Sequence, residues 1–115
     1  MRHCGLLGVL LVVGCGPESE ATFDTGVCDV LTHQNFGAAF MVEHCQGCHN
    51  SALSEAQRAG APTNVFFDTE ADVVYWLDRV YVEVSTQSMP PMGGIDQDEQ
   101  QLALEWLDCL KEEQQ

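Results

Sequence analysis

The chain has 115 residues with four basic and eighteen acidic side chains, a formal charge of −14, which leaves room for one domain and no more. So acidic a surface repels nucleic acid and anionic lipid head groups and excludes both as direct partners. Six cysteines in so short a chain suit an oxidising compartment, where disulfides persist.

Met1-Arg2-His3 and the apolar run from Gly5 to Val13, too short to span a bilayer as a helix, read as a secretory signal. The run ends at Val12-Val13-Gly14-Cys15, which resembles a bacterial lipobox. That resemblance implies a lipoprotein-type signal peptide over residues 1–14, cleavage after Gly14 and lipid on Cys15. The protein would then be exported and lipid-anchored on the periplasmic side of a bacterial membrane. Ordinary signal cleavage, with Cys15 a spare thiol, is the alternative; Cys4 leaves with the signal in either case. Cleavage removes Arg2 and none of the acids, so three basic side chains face eighteen acidic ones and the formal charge becomes −15. Residues 15–27 lack helical apolar spacing and are rich in acid, Gly and Pro, the composition of a flexible tether ahead of a domain over residues 28–115.

The first helix is expected to begin near Asn35, a good N-cap, and to run through Phe36, Phe40 and Met41. It leads into Cys45-Gln46-Gly47-Cys48-His49. Two thiols three positions apart and an adjoining imidazole form a c-type haem attachment signature: the thiols add across the haem vinyl groups and the imidazole takes the iron. A structural zinc site would need a second ligand pair, and no second C-x-x-C or H-x-x-x-H occurs. A thioredoxin-type pair would open a helix after a strand, a context the sequence does not supply.

Asn50 to Thr63 is polar and broken by Gly60 and Pro62, a loop with a short helical turn around Ser54 to Ala59. Arg58 in this loop either neutralises a haem propionate through its planar fork or is a solvated surface arginine. Thr69-Glu70-Ala71-Asp72 has the form of a capping box, and Val73, Trp76, Leu77, Val80, Tyr81 and Val84 follow on one helical face. Trp76 is ordinary core at this spacing, or an indole donor to a propionate. Ser88-Met89-Pro90-Pro91-Met92-Gly93-Gly94 stops the helix and presents thioethers on a stiff loop. Asp96 with Glu99 starts a last helix carrying Leu102, Ala103, Trp106, Leu107 and Leu110 on one side.

Gly37, eight residues before Cys45, with Phe40 and Met41 between them, the C-x-x-C-H turn and the Met-Pro-Pro segment before the last helix together resemble class I cytochromes c, over about residues 35–112. The resemblance implies an all-α fold, a cytochrome c-like small helical domain wrapped around one covalently bound haem c. It implies haem attachment at Cys45 and Cys48, and iron held by His49 and Met89, with Met92 as the substitute. His33 and His44 are rival distal ligands, and both methionines could instead be loop packing. Gly37 would let the last helix cross closely at Trp106, and the Pro62 carbonyl would hold the second ring nitrogen of His49. The extra pair Cys28 and Cys109, unusual for that family, would form a disulfide fastening the two crossing helices; two free thiols are the alternative. The implied role is an electron carrier rather than an enzyme. Its partners would be redox proteins, drawn by the acidic surface if basic, unless the acidity serves solubility alone. A peroxidatic or small-ligand-binding haem protein with a displaceable Met89, or a cytochrome subunit of a larger respiratory complex, are the other readings.

Overall fold

The structure, a computed structural model, describes residues 26–115. The signal over 1–14, the lipidation site Cys15 and most of the tether lie outside the described residues. Among the described residues every regular element is helical, and no helix is long and apolar enough to cross a membrane.

The domain starts one residue earlier than the tether boundary at 27 implies, because Val27–Val30 form a single turn, α1. The cap of the next helical stretch also differs from expectation. Thr32, in extended backbone, accepts a hydrogen bond from the Asn35 N–H at 3.2 Å, while the Asn35 amide reaches back to the Val30 carbonyl at 3.0 Å. Thr32 thus takes the capping role because its extended φ and ψ aim the hydroxyl at the orphan N–H groups. The first turn, His33–Gly37, is π-helical and passes directly into α2, Ala38–His44.

A 3₁₀ turn at Glu55–Gln57 is closed by a capping box between Ser54 and Gln57. The Thr69–Asp72 box starts α3, Glu70–Tyr75. The expected single helix is in fact two: the Trp76 N–H is shared between the Asp72 and Val73 carbonyls at 3.3 and 3.2 Å, which tightens and ends α3, and α4 restarts as Leu77–Ser85. The β-branched Val73 and Val74 lower the cost of that break, since they add little helix propensity of their own. Asp96 accepts from the Glu99 N–H at 2.9 Å and opens α5, Gln97–Glu113.

α5 is the axis of the domain, packing on α1, the π-helical turn and α4. Its buried stripe is Ala103, Trp106, Leu107, Cys109 and Leu110. Leu102, expected on that side, is 43% exposed, because one residue of offset rotates a side chain about 100° around the helix. Phe40, Met41, Val73, Leu77, Val80 and Val84 complete the core. Gly37 lies against the Trp106 indole so closely that a Cβ there would overlap its ring, with Cη2 at 2.8 Å; only a residue without Cβ permits this crossing. Cys28 of α1 and Cys109 of α5 are joined as a disulfide with Cα atoms 5.3 Å apart.

Candidate functional site

α2 ends at His44, and the chain continues as a tight turn. Both Cys45 N–H and Gln46 N–H donate to the Met41 carbonyl, at 2.9 and 2.8 Å, and the His49 N–H donates to the Cys45 carbonyl at 2.9 Å. This winding carries Cys45, Cys48 and His49 to the wall of one cavity of about 530 Å³, within the size range of small-molecule and cofactor sites. The other walls come from the loop Arg58–Pro62, from Val65 and Phe67, from Trp76 and Val80 of the broken helix, and from Met89, Pro90, Pro91 and Ile95.

A segment at 65–67 clamps the turn. The Phe67 N–H donates to the His49 carbonyl at 3.0 Å, and the Gln46 amide donates to the Phe67 carbonyl at 2.7 Å. His49 Nδ1 stands 3.1 Å from the Val65 carbonyl. A carbonyl can only accept, so Nδ1 carries a proton, and in the neutral ring the lone pair is then on Nε2, the tautomer in which an imidazole binds a metal through Nε2. Val65 therefore holds the role expected of Pro62. The Pro62 carbonyl instead accepts from the Val65 N–H at 3.2 Å, so Pro62 shapes the loop that delivers the acceptor. No turn or spacing signal marks Val65 in the sequence.

Arg58 is 4% exposed, and its Nε and Nη1 have no hydrogen-bond partner among the described residues. A guanidinium remains charged in any protein environment, and a buried charge without a counter-charge is costly by several kcal/mol. The side chain can thus accept an anionic partner, and the described domain provides none. Arg79, which lines the same cavity, is already engaged by Glu83 at 2.8 Å.

The sulfurs differ in setting. Cys45 and Cys48 are free of each other, and burial pushes the Cys45 thiol up to about 12. A reactive redox pair needs a lowered thiol, so burial here argues against thioredoxin-type chemistry. Met89 lines the cavity and is 40% exposed, whereas Met92 is 98% exposed and does not line it. Of the rival histidines, His33 lies outside the cavity with its ring on Trp106, centroids 5.8 Å apart. His44 reaches the cavity wall, but its Nε2 is taken by Glu99 Oε1 at 2.9 Å.

The cavity therefore gathers two thiols, an imidazole with an available Nε2, a thioether and an unpaired guanidinium within largely apolar walls. A second groove of about 510 Å³, between Val74–Arg79 and the C-terminal end of α5, contains no thiol or imidazole. Compared with protein-family models, curated proteins and solved structures, the chain matches none of them.

Proposed function

We propose that the chain is a monohaem cytochrome c that moves single electrons, exported and lipid-anchored on the periplasmic side of a bacterial membrane. One observation carries the reading: the thiols of the C-x-x-C-H turn, the Met89 thioether and the unpartnered Arg58 guanidinium all line one cavity. The residues present fit an iron porphyrin with acidic side arms. Cys45 and Cys48 would hold it by thioether bonds, His49 through Nε2 and Met89 through sulfur would hold the iron, and Arg58 would meet a propionate. Bound there, haem supplies a one-electron couple whose potential a thioether ligand raises. The chain's own part is to orient and shield. The Val65 carbonyl fixes the His49 tautomer, the 65–67 clamp holds the turn, and the apolar walls from Phe67, Val80 and Ile95 keep water away. With both protein ligands in place the iron would have no open position, which suits an electron carrier. The lipobox resemblance supports the anchor, and the charge supports basic redox partners.

Spectroscopy of both oxidation states tests this. The oxidised wild-type protein should show a low-spin haem with a methionine-to-iron charge-transfer band and its reduced form little carbon monoxide binding; Met89→Ala should lose the band when oxidised and bind carbon monoxide readily when reduced. The partial exposure of Met89 favours a second reading, a ligand-binding or peroxidatic haem protein, and rapid carbon monoxide binding by the wild-type protein would select it. Arg58→Leu removes the positive charge that faces the propionate, so the ferric state gains and the reduction potential should fall by on the order of tens of millivolts. Arg58→Lys should fall less. An unchanged potential in Arg58→Leu would remove Arg58 from the site.

A further inference from the structure

The geometry points to Glu83 as a latch that positions Met89 on the cavity. This rests on the reading of Met89 as an iron ligand, and it concerns a residue that spacing in the sequence does not single out. Glu83 sits in α4 and lines the cavity beside Met89. Its side chain works in two directions: Oε1 pairs with Arg79 Nε at 2.8 Å, and Oε2 accepts a hydrogen bond from the Ser88 hydroxyl. Its backbone carbonyl accepts from the Ser88 N–H at 3.0 Å and from the Met89 N–H at 3.4 Å. Among the described residues, residues 89–95 make no other hydrogen bond to the rest of the domain; the remaining one, Gly93 N–H to the Pro90 carbonyl at 2.9 Å, is internal.

The support behind the latch is rigid. Gln100 of α5 donates to the Val84 carbonyl at 2.8 Å and accepts from the Gln87 amide at 3.0 Å, which fixes the end of α4 to α5. A carboxylate acceptor makes the Ser88 bond charge-assisted, about twice as strong as a neutral one, and Arg79 holds that carboxylate in place. Met89 itself is 40% exposed, so packing alone leaves it loosely held. Glu83 is thus a positioning residue: it would act on the iron through Ser88 and Met89.

The test compares Glu83→Ala and Ser88→Ala with the wild-type protein. Both positions are near the surface, and each variant should retain its covalent haem. Each should bind carbon monoxide about tenfold faster, with a weaker methionine-to-iron band, because the Met89-off state becomes more populated. Amide exchange at Met89 should quicken in both. Glu83→Asp, which keeps a carboxylate, should recover part of the band. Wild-type carbon monoxide kinetics and an undiminished band in both alanine variants would overturn the latch. If the wild-type protein carries no haem, the electron-carrier reading falls, and Met89 amide exchange alone judges the latch: quickened exchange supports it, unchanged exchange overturns it.

Discussion

Gly37→Ala should destabilise the domain by about 3 kcal/mol, lowering its melting midpoint by roughly 12–24 °C for a chain of this size. Alanine would gain about 1 kcal/mol over glycine from helix propensity alone, so the naive expectation has the opposite sign. Steric overlap decides. The added methyl falls inside the Trp106 ring, the indole is fully buried and the Cys28–Cys109 bond pins α5 close by, so the ring has no room to retreat. Among the described residues the Trp106 indole N–H also has no partner, so it sits there for shape rather than for a hydrogen bond. In a Trp106→Phe background the Gly37→Ala penalty should shrink, which a double-mutant cycle by thermal melting would read as coupling. A Gly37→Ala variant melting at or above the wild-type temperature would contradict the close crossing.

The second large effect is expected from Cys28→Ala/Cys109→Ala. The bridge closes a loop with a sequence separation of 81, and in the chain-entropy picture a loop of that length is worth about 4.5 kcal/mol. Set against a total of about 5–15 kcal/mol for a typical domain, its loss should lower the melting midpoint by roughly 18–36 °C. The effect should appear equally when the wild-type protein is fully reduced. A double variant that melts within a few degrees of the oxidised protein would show that α1 contributes little to the fold.

How far the sequence could be read depended on whether a local rule or a long-range contact set the outcome. Thr69 and Asp96 were legible as caps because a capping box and an N-cap are settled within four residues, and both start helices in the structure. The crossing at Gly37 was legible only through the family resemblance, and Trp106 does lie against it. Cys45, Cys48 and His49 stood out as a motif and Met89 through the family resemblance, and all four line the cavity, as does Arg58, for which the sequence left a solvated surface position open. Other features had no local signature. Asn35 and Thr32 are both good caps, and only the backbone at 31–32 decides between them. The Val73–Val84 face reads as one helix, since period alone cannot show that Trp76 ends one turn and lets the next restart. Val65 replaces Pro62 opposite His49 because a carbonyl is common to every residue, so sequence cannot say which one faces a given ring nitrogen. Glu83 falls off the apolar face of its helix, and only the return of the proline loop joins Ser88 and Met89 to it by hydrogen bonds.

The central claim is that Cys45 and Cys48 hold a haem covalently, and the intact mass of the denatured, export-matured protein tests it most directly. The account predicts a chain heavier by one haem, an increment that survives denaturation and disappears in Cys45→Ala/Cys48→Ala. The mass of the polypeptide alone, from cells able to mature cytochromes c, would contradict it.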